Sequence, residues 1–203
     1  MKILYLMFLI LLLTDCSQSK KYDNHSHHSS TNSANTSNNN LSPQTFSMKM
    51  IKGAHIHIDY SSPSVRNRII FGGLLAFDEV WQSGAHNATW IETDYDLKIN
   101  DKLLKMGKYG FFTIPSKDEW IIIFNSNWNQ HGKDEYDEKD DVLRFAVTPE
   151  TLEENVERLR YEVNEIGDGI GEISLLWEKT KVSFQFKIAV SYTHLTLPTR
   201  LPV

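Results

Sequence analysis

Between Ile51 and Ile188 the apolar residues of this chain come in short runs, most with a period of two, each ended by turn-forming residues. In a strand successive side chains point to opposite faces, so that period makes one face apolar and the other polar. The stretch Ala54-His55-Ile56-His57-Ile58-Asp59-Tyr60 is the clearest case. Ile56, Ile58 and Tyr60 share one face, while His55, His57 and Asp59 share the other. Residues 88–92, 95–99, 109–114 and 142–147, and the series Leu159, Tyr161, Val163, also read as strands. Asn100-Asp101 and residues 167–171 read as turns, and Pro115-Ser116-Lys117-Asp118 closes a hairpin onto the apolar run 120–124. Residues 173–177 and 182–188 finish the sheet, and residues 149–157 alone have the look of one or two helical turns. These signals predict an all-β fold: an antiparallel β-sandwich or a barrel-like single domain, with at most one short helix.

That domain is expected over residues 48–188, about 140 residues, enough for one hydrophobic core. Five Trp, eight Tyr and ten Phe supply aromatic area to bury. The formal net charge of −5 offers no basic surface for phosphates, so nucleic acid is not an expected partner. The one cysteine, Cys16, lies outside the domain, which rules out both a disulfide framework and a cysteine metal site within it.

Residues 1–15 have the form of a signal peptide. Lys2 supplies a positive start, and an apolar run from Ile3 to Leu13 follows, too short to span a bilayer. Cys16 directly after Leu13-Thr14-Asp15 resembles the lipobox of bacterial lipoproteins, in which the thiol is acylated and becomes the new N-terminus. Asp15 departs from the small residue usual before that cysteine. The resemblance implies an envelope protein partnered with the membrane through lipid on Cys16. Residues 16–47 are rich in Ser, Asn, Thr, His and Lys, and read as a disordered polar tether. Its histidines His25, His27 and His28 read as part of a polar linker.

Several stretches carry a family resemblance. They are Asp59-Tyr60-Ser61-Ser62-Pro63-Ser64-Val65-Arg66, Gly72-Gly73-Leu74, Val80-Trp81 with Gly84-Ala85-His86, and Met106-Gly107-Lys108-Tyr109 leading to Phe112-Thr113-Ile114-Pro115. Glu119-Trp120, Tyr136-Asp137 and Trp177-Glu178-Lys179 complete the set. Together they resemble the exported proteins grouped as domain of unknown function 2911, frequent in Bacteroidetes and related bacteria. The resemblance implies export and supplies no reaction. Many members carry Trp-Arg-x-Gly-Ala-Asn where this chain has Trp81-Gln82-Ser83-Gly84-Ala85-His86, so a role resting on that arginine does not transfer.

Two kinds of site are expected. The first binds a small molecule or sugar through His57, His86, Trp81, Arg66, Asn129 and His131, with Trp81, Trp90 and Trp128 as stacking faces. The amide-rich loop 125–131 lies beside the histidine face in this reading. The second is a zinc-type metal site. His55 and His57 on one strand face stand about 7 Å apart at the backbone, and His86 or His131 would be the third ligand. A hydrolase using metal-bound water is the corresponding activity, and a purely structural module is the remaining alternative. The carboxylate run 134–141 lacks the spacing and central glycine of a calcium loop and reads as a solvated turn.

The last segment, 189–203, is expected to be non-native. From Val190 to Thr199 it resembles one reading frame of a transposon adapter used in sequencing libraries.

Overall fold

The period-two stretches become strands. The structure, a computed structural model, describes residues 41–189. Its strands are β1 (Gln44–Ile51), β2 (Ala54–Ser61), β3 (Thr89–Thr93), β4 (Leu97–Ile99), β5 (Lys102–Leu104), β6 (Gly107–Ile114), β7 (Trp120–Asn125), β8 (Asp141–Val147), β9 (Glu150–Gly167) and β10 (Ile170–Ile188). One 3-10 turn, Glu138–Asp140, precedes β8. Residues 1–40, which include the expected signal peptide, Cys16 and most of the expected tether, and residues 190–203 lie outside the described residues.

Two antiparallel sheets result, one in the order β1-β2-β3-β6-β7-β8 and one in the order β5-β4-β10-β9. They face one another as a sandwich, not as a closed barrel. Ile56, Ile58, Ile91, Phe111, Ile122 and Phe124 of the first sheet meet Leu97, Ile99, Leu159, Tyr161, Leu175 and Phe184 of the second in one core. The alternation of β2 therefore decides its orientation. A one-residue slip would turn four core side chains, Ala54, Ile56, Ile58 and Tyr60, to water and two histidines inward.

The run 120–124 is apolar on both faces for a reason that only the folded chain displays. Ile122 and Phe124 point into the sandwich, while Phe112 and Ile123 form a second, smaller cluster on the outer face with Ala88, Ile121 and Tyr136. The chain between β7 and β8 lies over that outer face. Gly110 allows it to do so, because a Cβ at this position would stand 2.9 Å from the carbonyl oxygen of Asn127.

Three expectations are corrected. The domain starts before Met48. β1 begins at Gln44 and pairs along its whole length with β2, through a turn in which Lys52 and Gly53 have φ of 48° and 87°. Its residues Phe46, Met48 and Met50 are exposed, so the segment lacks the buried face that betrays a strand. Residues 149–157 are not helical but open β9. Leu152, Val156 and Leu159 have helical spacing, yet pairing of Thr151 with Thr180 and of Val156 with Glu178 holds the segment extended. Third, the carboxylate run is not merely a solvated turn. Asp141 is nearly buried and accepts hydrogen bonds from Tyr136 Oη (2.8 Å), Asn125 Nδ2 (2.8 Å) and Arg144 (3.1 Å), fixing the outer loop.

β10 doubles back on itself. Ser174 and Ser183 have their Oγ atoms 3.0 Å apart, and Glu172 lies 3.8 Å from Lys181. Nine residues of extended chain would span roughly 30 Å, so the strand must reverse between them. Glu178, at φ 55°, marks the reversal, and Ile188 N–H reaches the carbonyl of Gly169 at 2.8 Å. The stretches 173–177 and 182–188 are thus neighbouring arms of one hairpin, which brings Trp177 to its tip.

Candidate functional site

The crossing from β2 to β3, residues 62–88, is long, and most of it is tied down by hydrogen bonds. Val65 N–H donates to the carbonyl of Glu157 (2.8 Å) and Leu159 N–H to that of Pro63 (2.9 Å), pinning the first part along the edge of β9. The chain then turns sharply. Arg66 and Asn67 adopt φ of 50° and 55°, conformations uncommon for residues with a Cβ. Glu157 holds the turn by accepting the Arg66 backbone N–H at 3.0 Å. At Gly72, φ is 81°, and a Cβ would stand 2.4 Å from the Phe77 ring, so glycine is required there.

Trp81 follows. Its backbone makes two hydrogen bonds with Thr113, and its indole N–H donates to the carbonyl of Gly84 at 3.0 Å. The ring is 4 % exposed and stacks on Trp177 with centroids 5.7 Å apart and planes inclined by 22°. Ser83 is buried; its hydroxyl meets Thr113 Oγ1, and its carbonyl accepts from Thr89 Oγ1 (2.9 Å) and Tyr161 Oη (2.7 Å). Burial pushes the Tyr161 hydroxyl well above the ordinary tyrosine range, so it remains a proton donor to that carbonyl. His86 leaves this rigid loop at φ 63° and is exposed.

These pieces line an open cavity of about 600 Å³. Trp81, Trp177, Leu75 and Pro63 give it apolar walls, and Leu74 and Leu41 add to them. Arg66, Arg68 and His86 stand among its polar lining residues. The Arg68 guanidinium is held by the carbonyls of Ser64 (2.6 Å) and Val65 (3.0 Å), while Arg66 reaches the carbonyl of Leu41 (3.2 Å). Among the described residues neither arginine forms an ion pair. Trp177 Nε1 is buried with no hydrogen-bond partner among the described residues.

The six residues expected to bind a ligand are therefore divided. Arg66, Trp81 and His86 share the cavity; Trp81 is a wall of it, not an exposed stacking face. Asn129 lines a separate notch on the outer face of the first sheet, with Trp90, Trp128 and Gln130. His57 is one ring away from the notch, stacked between Phe46 (5.3 Å) and Trp90 (5.1 Å). His131 is largely exposed, with Nδ1 3.7 Å from Asp134.

The expected metal set is not assembled. Among the described residues no three of His, Cys, Asp or Glu come together as a group able to hold an ion. His55 and His57 do share a face, with ring centroids 5.8 Å apart. The loops of His86 and His131 also meet, through Gly132 N–H donating to the carbonyl of His86 (2.8 Å). That contact is between backbones, and it does not gather the imidazoles with those of β2.

Three participants escaped the sequence reading. Trp177 stands in a stretch that carries the family resemblance but was not expected at a site, because a strand tryptophan in an all-β chain reads as core. Lys108 lies over the Trp90 ring at 3.3 Å and over Trp128 at 3.8 Å, a juxtaposition across β3, β6 and the outer loop. Gln130 is 5 % exposed although it stands in a run of polar residues.

The model of a family described as a protein of unknown function, DUF2911, matches residues 42–186. Its first residue lies two positions before β1, in agreement with the early start of the fold. No curated protein and no solved structure matches the chain.

Proposed function

The chain belongs to the DUF2911 family, and on that premise we propose that its sandwich binds a small organic anion with an apolar body, on a lipoprotein of the cell envelope. The observation that carries this reading is convergence. Residues drawn from the segments 63–68, 74–75 and 81–86, together with Trp177, are remote in sequence and line one cavity. Most of these segments are the ones by which the chain resembles its family. The stacked indoles of Trp81 and Trp177 suit an apolar body. Two guanidiniums that form no ion pair among the described residues suit an anionic head, which their remaining N–H groups can hold. The left-handed turns at Arg66 and His86 fit this reading, because strain of this kind persists where surrounding structure fixes it and is frequent at ligand clamps.

Envelope placement rests on the leader and Cys16. Acylation there provides the more than one buried chain that stable anchoring needs. Cys16→Ser is expected to move the full-length protein from the membrane fraction to the soluble fraction. Among the described residues the metal-hydrolase alternative has no comparable gathering of ligands to support it.

Titration of the full-length protein with indole-3-carboxylate and with neutral 3-methylindole tests the cavity. The anion should bind at least about tenfold more tightly, equivalent to about 1.4 kcal/mol. The double variant Arg66→Ala, Arg68→Ala should abolish the preference. Equal affinities, no binding of either compound, or a preference that survives the double variant would overturn the proposal.

A further inference from the structure

On the other side of the His86–Asn87 peptide lies the outer-face notch, about 70 Å³ in volume. Gln130 forms one wall. Its Nε2 donates to the carbonyl of Asn127 at 2.7 Å, which fixes the orientation of the amide. Its Oε1 is left buried with no donor among the described residues. A buried acceptor without a partner is destabilising, and a donor that enters the notch and reaches Oε1 with a small shift of the amide would relieve it.

The surroundings narrow that donor. The notch is too small for a ring and suits a hydroxyl or hydroxymethyl group. Asp59 offers a second acceptor, held in place by Gln44 Nε2 at 2.8 Å, and the amides of Asn87 and Asn129 can donate or accept. A cationic ligand is disfavoured, because Lys108 already fills the space over Trp90 and Trp128 with its own ammonium. An anionic one is disfavoured by the Asp59 carboxylate. What fits is a neutral ligand that pairs donors and acceptors closely and carries an apolar C–H face. Trp90 is covered, since His57 stacks on it from β2 and Lys108 reaches it from β6. Trp128 carries Lys108 over one side of its ring but is 36 % exposed, and its remaining surface is the aromatic area left to receive such a face.

We propose that this notch is a carbohydrate subsite: a sugar ring lies on Trp128 and places a hydroxyl or hydroxymethyl group against Gln130 Oε1 and Asp59. The subsite is independent of the anion cavity, and its test separates the two. Full-length protein is titrated calorimetrically with cellotetraose, chitotetraose and mannotetraose, alongside Trp128→Ala, Asn129→Ala and Arg66→Ala variants. At least one tetrasaccharide should bind with a millimolar or tighter dissociation constant. Trp128→Ala should weaken it about tenfold or more, Asn129→Ala should also weaken it, and Arg66→Ala should leave it unchanged. Trp128 lies on an exposed loop, so its truncation leaves both cores intact. Absence of binding by all three sugars, binding indifferent to Trp128→Ala, or binding lost with Arg66→Ala would each overturn the assignment.

Discussion

Gly171 stands at the start of the β10 hairpin, where a Cβ would come within 2.2 Å of Cζ of Phe186 and 2.7 Å of Cδ1 of Ile51. Both are core side chains, and neither can retreat without opening the packing around it. Gly171→Ala is therefore expected to cost about 1–3 kcal/mol, the usual range for overpacking, measured by urea denaturation. A loss below about 0.5 kcal/mol, typical of an ordinary surface change, would show that the two arms are not packed so tightly. Residues of this kind are silent in the sequence. Gly171 looked like part of a turn because the clash that demands it comes from a residue fifteen positions away. His57 was the opposite case. Its outward direction followed from alternation alone, but its confinement between Phe46 and Trp90 required β1 and β3 to be placed beside it.

At the level of elements, the short hairpins show how far local chemistry reaches. Asn100 and Asp101 join β4 to β5 with φ of 45° and 64°, the two-residue turn whose twist matches the strands it connects. Asn-Asp at this point was read as a turn from residue type alone. Asp101→Gly should relieve the cost of a left-handed Cβ and stabilise the domain by a few tenths to about 1 kcal/mol. The exposed Lys98–Asp101 pair that it removes is worth little. A fall in the denaturation midpoint would refute this account. β9 was illegible for the converse reason. Its first half is exposed and charged, and only pairing with the tip of β10 makes it a strand. The same pairing sets Glu157 beside Arg66, so the element that was misread also positions the cavity.

For the molecule as a whole, three tyrosines govern behaviour in alkali. Burial pushes the hydroxyls of Tyr109, Tyr136 and Tyr161 up, with nearby Asp96 adding to the effect at Tyr109 and Asp141 at Tyr136. In the unfolded chain each ionises near pH 10. Above that pH the unfolded state releases protons that the folded state retains, so stability falls as pH rises; below it their contribution is constant. The urea midpoint should therefore decline beyond about pH 10, and more gently in Tyr136→Phe. A midpoint that rises over that range would contradict the burial of these hydroxyls.

The sequence alone determined that the chain is all-β, that one face of β2 is apolar, and where most turns fall. These follow from alternation and turn chemistry, which act over a few neighbouring residues. It also singled out Arg66, Trp81 and His86, because reactive and aromatic side chains in a loop-rich stretch stand out locally. Only the tertiary structure decided that the two sheets stay separate and that β10 folds back to carry Trp177 against Trp81. It alone parted His57 and Asn129 from the other candidates. Those outcomes depend on contacts between segments tens of residues apart, and such contacts are set by the packing of whole faces, which no local pattern encodes.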